Sequence, residues 1–278
     1  MTSIHDICAP AKLNLFLHIV GRRPDGYHLL ESVFMLIDWH DTLHVELRRD
    51  GQISREDLTT ELPPHDLIVR AALALQQASG TRQGAHIAID KQIPAQAGMG
   101  GGSSDAASTL LALNRLWGLN LSLGDLMAIG LKLGADVPFF LGGHNAWVTG
   151  IGEIMQPVDV PEARFLVLKP GVGLETQRIF SHPGLKRDTK PAILSGFAAN
   201  TFDYGRNDLQ SVAQQLCPEI DQALNWLNAS GLKGRMTGSG SAVFARLLHD
   251  VDTSSLPGQF QYRLCNNLPV HPLHGWAV

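Results

Sequence analysis

The chain has 278 residues, 44% hydrophobic and 17% charged, which indicates one large or two ordinary globular domains and excludes a disordered protein. Its net charge of −4, with no basic run longer than two residues, argues against a nucleic-acid partner, because binding to a phosphate backbone needs clustered Lys and Arg. Three widely spaced cysteines fit a reducing cytoplasm, and since no apolar stretch reaches the length of a membrane span, we expect a cytoplasmic protein with no membrane partner.

The first predicted elements are strands. Residues 12–20 alternate with a period of two, which places Lys12 and Asn14 on one face. Residues 33–47 are also strand-like, with a break predicted near residues 39–41.

Helices are predicted next along the chain. Residues 65–79 have helical spacing and end at Gly80, and a short strand follows at residues 86–90. Residues 122–133 form a third candidate helix after the glycine loop, because Ser122 and Asp125 make a capping box.

The segment Gly98-Met-Gly-Gly-Gly-Ser-Ser-Asp-Ala-Ala107 follows the strand at residues 86–90, leads into a helix and carries the strongest functional signal. Its four glycines let the backbone approach a ligand closely, and the N-cap types Ser103, Ser104 and Asp105 predict a helix start there. Free N–H groups at the positive end of a helix bind phosphate. The segment is neither a Walker loop, since no lysine follows Gly102, nor a dinucleotide fingerprint, nor a nucleophile elbow.

The second half begins at an apolar strand, residues 165–168, after a composition change near residues 157–162. Residues 181–190 are polar and predict a loop, and one helix is predicted from Val212 to Leu227. A second glycine turn, residues 237–241, precedes a strand at residues 243–248.

Three segments occur in the order of the three motifs of the GHMP small-molecule kinases, and the chain resembles that family from about residue 8 to residue 274. They are Ala9-Pro-Ala-Lys-Leu-Asn-Leu15, Gly98-Met-Gly-Gly-Gly-Ser-Ser104 and Thr237-Gly-Ser-Gly-Ser-Ala-Val-Phe244. Arg23-Pro-Asp-Gly-Tyr-His28, Leu133-Gly-Ala-Asp-Val-Pro138 and Asn267-Leu-Pro-Val-His-Pro-Leu-His274 resemble one branch of the family, which acts on a cytidine diphosphate compound.

The resemblance implies an α/β (α+β) fold of two lobes. The expected N-terminal, ATP-binding domain spans residues 1–158 and is ribosomal-S5-like, with a left-handed β-α-β unit. The expected C-terminal, substrate-binding domain spans residues 159–278 and is ferredoxin-like. The active site is expected in the cleft between them.

The implied reaction is transfer of the γ-phosphoryl group of ATP, with Mg²⁺, to the 2-hydroxyl of a methylerythritol moiety that carries cytidine diphosphate, in the non-mevalonate isoprenoid pathway. By resemblance, Asp136 is the catalytic base, Lys12 lowers its pKa or stabilises the attacking oxygen, and Asn14 positions the substrate. Phosphoryl transfer needs alignment and charge neutralisation more than covalent chemistry, so few residues suffice. The metal ligands and the oligomeric state stay open.

The remaining site residues also follow from the resemblance. Tyr27 and Phe180 match positions that sandwich the cytosine ring, and His28 matches the position that reads its edge. ATP is expected on residues matched to the phosphate loop and the adenine pocket, namely Gly98, Met99, Gly100, Gly101, Gly102, Ser103, Ser104 and Asp66.

Several positions depart from the family pattern. Gln96 and Ala97 stand where glycines are usual, and Met99 replaces leucine. Asp105 and Asp66 replace asparagines, which puts negative charge near the phosphates and removes the amide donors that adenine would use.

Two other functions stay open from the sequence. One is a GHMP kinase for another small alcohol, such as homoserine or a mevalonate derivative, against which Tyr27, His28 and Phe180 argue. The other is a nucleotide-binding sensor without turnover, against which intact Lys12 and Asp136 argue.

Overall fold

Two β-sheets and eight helices organise residues 1–277, the part of the chain that this computed structural model describes. The strands are β1 (Ser3–Arg22), β2 (His28–Arg48), β3 (Ile53–Asp57), β4 (Gly84–Asp90), β5 (Ala146–Thr149), β6 (Ile154–Pro157), β7 (Arg164–Lys169), β8 (Arg235–Met236), β9 (Val243–Arg246) and β10 (Gln261–Asn266). The helices are α1 (Leu67–Ser79), α2 (Gly101–Leu116), α3 (Leu123–Leu133), α4 (Val137–Gly142), α5 (Thr176–Phe180), α6 (Leu194–Ala199), α7 (Gln210–Leu216) and α8 (Pro218–Ala229). No helix in this range is long and apolar enough to cross a membrane.

The first sheet has the strand order β3-β4-β2-β5-β6, and the long strand β1 pairs with the opposite side of β2. β3 and β4 are parallel and are joined through α1, while the other pairs are antiparallel. The predicted break near residues 39–41 is wrong, because β2 runs through without interruption. Asp41 is fully buried there, and its carboxylate accepts hydrogen bonds from the N–H groups of Gln92 and Ile93, so a polar residue inside the strand is satisfied.

The second sheet has the order β10-β7-β9-β8 and is antiparallel throughout. Since the helices α5 to α8 connect β7 to β8 while β9 lies between these strands, this is a split β-α-β arrangement of the ferredoxin-like type. The predicted mixed α/β class is confirmed. The proposed boundary between residues 158 and 159 falls in the chain between the two sheets and stays a prediction.

Two local predictions about helices are wrong. The helix predicted from Val212 to Leu227 is two helices, because Pro218 has no N–H to continue α7 and instead begins α8. α2 begins at Gly101, so Ser103 and Ser104 lie in its first turn, Asp105 follows that turn, and none of them caps the helix. The N-cap is Gly100, whose φ of 73° turns the chain into the helix earlier than the side chains suggested.

Strand β1 takes part in all three hydrophobic clusters of the core. Ile7 and Ala9, in its first part, pack with other strands of the first sheet and with α1 and α2, whereas Leu17 and Ile19 pack with the second sheet and α8. Phe16 lies in the cluster between the two sheets, where its ring contacts those of Trp147 and Phe197. The two halves therefore share one interior.

The segment after β10 returns to the first sheet. The N–H of Leu268 donates to the carbonyl of Leu36 at 2.9 Å, and that of His271 donates to Gly143 at 2.8 Å. The Asn145 amide links both strands, since it accepts from the Leu36 N–H and donates to the Leu268 carbonyl.

Candidate active site

A cleft of about 940 Å³ runs between the two sheets. Its walls come from separate parts of the chain: β1, the start of α1, the glycine loop, the start of α4, helix α5 and the turn at residues 238–240. Most of the residues singled out by the sequence line this cleft, and they are Lys12, Asn14, Asp66, Gly98, Met99, Gly100, Gly101, Gly102, Ser103, Asp136 and Phe180. Ser104 is buried beneath the loop, and Tyr27 and His28 are not among the lining residues.

The glycine loop and the turn at residues 237–241 lie directly against each other. Gly98 has a φ of 72°, and a Cβ atom there would lie 2.3 Å from the Thr237 carbonyl oxygen. Gly100 has a φ of 73° and comes close to the Phe140 ring and the Lys12 side chain. Because α2 begins at Gly101, the N–H groups of Gly101, Gly102 and Ser103 precede the first hydrogen bond of the helix, from Ser104 to Gly100, and can face a ligand.

Lys12 and Asp136 face each other across the cleft, although 124 positions separate them in the sequence. The Lys12 Nζ atom lies 3.6 Å from Asp136 Oδ2. Only 4% of Lys12 is exposed, and burial lowers the pKa of its ammonium group, with the Asp136 carboxylate opposing that shift. The Asp136 side chain is 30% exposed, so a ligand can reach its carboxylate.

Asn14 connects Lys12 to the second glycine turn. Its Oδ1 atom accepts from Lys12 Nζ at 2.6 Å, and its Nδ2 atom donates to Ser32 Oγ at 2.9 Å. The Asn14 backbone N–H donates to Thr237 Oγ1 at 2.9 Å. The Lys12 backbone N–H donates to the Met99 carbonyl. Strand β1 is therefore hydrogen-bonded both to the glycine loop and to the turn at residues 237–241, which fixes the positions of Lys12 and Asn14.

Asp105 belongs to a buried group of three charges that the sequence did not reveal. Lys91 Nζ lies 2.7 Å from Asp105 Oδ2 and also pairs with the Asp41 carboxylate. Burial is the largest cause that raises the pKa of Asp105. The Asp41 carboxylate, which shares the Lys91 ammonium group with it, raises that pKa further, and Lys91 opposes the shift. Lys91 stands just after β4, beside the start of α2, and its position after an alternating strand was the only signal available.

Asp66 is paired in the same way. It is the N-cap of α1, where its carboxylate accepts from the Val69 N–H at 3.1 Å. The Arg55 guanidinium lies 2.7 Å from the same oxygen, and it also pairs with Asp57. The two acidic departures from the family pattern therefore each pair with a basic side chain that a second carboxylate shares.

Gln96 stands at a position where the family usually has glycine, and its φ is 51°. That backbone conformation favours glycine and explains the family preference. Its amide side chain packs on Gly173, where a Cβ atom would lie 2.1 Å from Gln96 Oε1. Gln96 thus joins the start of the glycine loop to the segment before α5.

Phe180 and His28 contact each other, whereas Tyr27 lies apart. The His28 and Phe180 rings have centroids 5.1 Å apart at an angle of 37°. Tyr27 is 59% exposed, in the turn between β1 and β2. Arg187, which the sequence did not single out, donates from Nε to His28 Nε2 at 2.9 Å.

Comparison with known proteins places this geometry in a family. Residues 66–144 match the GHMP kinases N terminal domain, and residues 190–269 match the GHMP kinases C terminal domain. Over its whole length the chain is 72% identical to a 4-diphosphocytidyl-2-C-methyl-D-erythritol kinase of Albidiferax ferrireducens, covering 97% of that protein. It is 63% identical to one of Variovorax paradoxus, with both chains covered completely.

Solved structures agree with these relatives. The crystal structure of a 4-(cytidine 5'-diphospho)-2C-methyl-D-erythritol kinase matches with a TM-score of 0.80 and 32% identity, covering 94% of this chain and 98% of that one. A homoserine kinase from Cytophaga hutchinsonii matches with a TM-score of 0.70 at 16% identity, covering 98% and 96%, and shows the shared fold.

Proposed function

Because this chain belongs to the GHMP kinases, and within them to the 4-diphosphocytidyl-2-C-methyl-D-erythritol kinases, we propose that it phosphorylates the 2-hydroxyl of that cytidine diphosphate compound with ATP. The observation that carries the proposal is the pair Lys12 and Asp136, 3.6 Å apart, beside a glycine loop that opens a helix in one cleft. Relatives at 61–72% identity carry the name of this kinase, which favours it over a homoserine or mevalonate kinase and over a sensor.

In the proposed reaction the substrate oxygen forms a bond to the γ-phosphorus as the bond from that phosphorus to the bridging oxygen of ADP breaks. Asp136 takes the hydroxyl proton, which its partly exposed carboxylate can reach. The Lys12 Nζ atom lies 3.6 Å from that carboxylate, where its ammonium group would stabilise the developing charge. Asn14 holds Lys12 in place through the 2.6 Å hydrogen bond.

The phosphates of ATP are proposed to bind at Gly98 to Ser104, on the N–H groups at the start of α2. Asp105 does not repel them in this arrangement, since Lys91 lies 2.7 Å from its carboxyl and burial raises the pKa of that group. The Asp66 carboxylate forms an ion pair with Arg55, and we propose that this ion pair shapes the nucleotide pocket.

Mg²⁺ is the proposed metal. Among residues 1–277 no three His, Cys, Asp or Glu side chains are grouped as a metal site, which suits an ion bound mainly through phosphates with one or two protein oxygens. The Asp136 carboxylate, which is partly exposed and lines the cleft, is a fitting oxygen. When bound, the ion would neutralise charge on the phosphates.

The cytosine is proposed to bind near Phe180, His28 and Tyr27. Phe180 lines the cleft and contacts the His28 ring, and Tyr27 stands exposed one residue away from His28. Stacking tolerates any base, so we assign base choice to the hydrogen bonds of His28.

We further propose a cytoplasmic enzyme without a nucleic-acid partner, as three free cysteines and the net charge of −4 suggest. Residues 1–158 are proposed to bind ATP and residues 159–278 to bind substrate, in line with the two sheets.

The test is a reaction of purified protein with Mg-ATP and 4-diphosphocytidyl-2-C-methyl-D-erythritol, followed by phosphorus NMR. We expect a new phosphate monoester signal that grows in step with ADP. ADP without that signal, or no reaction while ATP binds, would contradict the proposed function.

The Asp136→Asn variant tests the assigned base. Asparagine keeps the size of the side chain and cannot take a proton, so we expect turnover to fall by about 10²–10⁴-fold with little change in substrate binding. Asp159→Asn is the matched control, because Asp159 is exposed and lies outside the cleft. Near-normal turnover of Asp136→Asn would reject the role.

A further inference from the structure

We infer that Arg187 fixes the tautomer of His28, so that Nδ1–H is the group this ring offers to the cytosine. The cytosine as ligand rests on the proposed function, whereas the tautomer follows from contacts within the chain. Arg187 is in this view a positioning residue, and His28 is the residue that touches the base.

The first step is the hydrogen bond between the two side chains. Arg187 Nε lies 2.9 Å from His28 Nε2. The guanidinium of arginine always carries its protons, so it donates and Nε2 must accept. A neutral imidazole that accepts at Nε2 carries its proton on Nδ1.

The second step is that Arg187 cannot turn away. Its Nη1 atom donates to the Leu185 carbonyl at 2.9 Å, and its Nη2 atom donates to the carbonyls of Phe180 and His182, both at 3.1 Å. Three carbonyls therefore hold the guanidinium in the plane that directs Nε to His28. One of them belongs to Phe180, whose ring packs on His28.

The third step is that the ring stays neutral. Burial, followed by the positive charges of Arg187 and Arg22, lowers the pKa of His28. A proton on Nε2 would also face the N–H of Arg187 directly. These two arginines are the charged groups that act on the ring.

The fourth step concerns the free side of the ring. The Nδ1 atom has no hydrogen-bond partner within residues 1–277, while the ring itself packs on the cleft-lining Phe180. Cytosine presents acceptors at N3 and O2, and bases are read through hydrogen bonds on such edges. A ring with Nδ1–H can donate to either of them, whereas Nδ1 of the opposite tautomer could only accept, from the N4 amino group.

The direct test is long-range ¹H–¹⁵N NMR of the histidine rings of the full-length protein at pH 7.5, with His28 assigned by a His28→Gln variant. We expect the Nδ1–H pattern in the wild type without any ligand. An Nε2–H or a doubly protonated pattern would overturn the inference, and this measurement needs no altered side chain at position 187.

The Arg187→Met variant removes the donor, and Arg178→Met, at an exposed arginine of α5, is the control. In Arg187→Met we expect the Nε2–H tautomer to gain population and the KM for the cytidine diphosphate substrate to rise about tenfold, the worth of one hydrogen bond. The turnover number and the KM for ATP should change less than about twofold, as only base recognition is affected.

The outcomes separate this inference from the proposed function. If Arg187→Met keeps the Nδ1–H tautomer, or if its KM for substrate is unchanged while the tautomer shifts, the inference is wrong. If the wild type shows Nδ1–H and yet fails to phosphorylate the substrate, the proposed function is wrong and the tautomer assignment stands.

Discussion

At the scale of single residues, the buried group of Asp41, Lys91 and Asp105 has the largest electrostatic consequence. Asp105 is 2% exposed, and its pKa is raised above the value it has in an unfolded chain. The folded state therefore holds a proton that the unfolded state releases in the acid range. Stability from this proton is present at low pH and is lost as the pH rises through the folded pKa of about 8.

This linkage predicts the behaviour of Asp105→Asn. Between pH 5 and pH 9 the melting temperature of the wild type should fall more than that of the variant, because asparagine carries no proton to lose. Each kcal/mol of difference corresponds to roughly 2–4 °C for a protein of this size class. Thermal melts across this range, with the exposed Asp159→Asn as control, measure it, and parallel curves for wild type and Asp105→Asn would refute it.

The same residues show why sequence reasoning about charge was incomplete. The sequence marks Asp66 and Asp105 as departures from the family pattern, but the effect of their charge depends on the basic side chains that pair with them. Arg55 and Lys91 reach them only because β3 packs beside α1 and β4 leads into α2. Spacing along the chain does not encode these contacts, whereas Lys12 and Asp136 could be paired in advance through family motifs.

At the scale of elements, the glycine loop depends on a contact with the turn at residues 237–241. Gly98→Ala would place a Cβ atom 2.3 Å from the Thr237 carbonyl oxygen at a φ of 72°. Since backbone faces backbone, the two segments must separate, and we expect a lower melting temperature and at least about a tenfold rise in the KM for ATP.

Gly124→Ala is the matched control for that change. Gly124 lies in α3 and has an ordinary φ, and the nearest atom to a Cβ there is 3.7 Å away. Alanine favours a helix by roughly 1 kcal/mol over glycine, so this variant should be as stable as the wild type or more so. Equal behaviour of the two variants would show that the contact at Gly98 is unimportant.

Helices with local signals were predictable, and those whose ends depend on the backbone were not. The capping box of Ser122 and Asp125 is present at α3, and Gly80 ends α1 as expected. Apolar spacing alone predicted one helix across Pro218, because α7 and α8 both contribute buried residues to one cluster with β7 and β9. The start of α2 followed the left-handed Gly100 rather than the three capping side chains after it.

At the scale of the whole molecule, the cluster between the sheets predicts a single unfolding transition. Phe16, Trp147, Phe165 and Phe244 come from both sheets and are buried together. Chains of this length often unfold in parts, so a calorimetric enthalpy equal to the van't Hoff enthalpy would be informative. Scanning calorimetry should show one peak, and two resolved peaks would contradict the prediction.

Substitution inside that cluster sharpens the test. Phe16→Leu should move the single peak to lower temperature without splitting it, at a cost of about 1–3 kcal/mol. Leu131→Ala, on the exposed face of α3, should leave the peak within about 0.5 kcal/mol.

The return of residues 267–277 to the first sheet bears on how the protein is made. The carbonyl of Leu36 and the amide of Asn145 both form hydrogen bonds with Leu268. Because Leu268 is translated more than a hundred residues after Asn145, neither bond can form before then. While the chain leaves the ribosome, the first sheet has every strand of its own and still lacks this last hydrogen-bonded segment. The half of the chain that holds the first sheet is thus left without these hydrogen bonds until residues 267–277 have been translated.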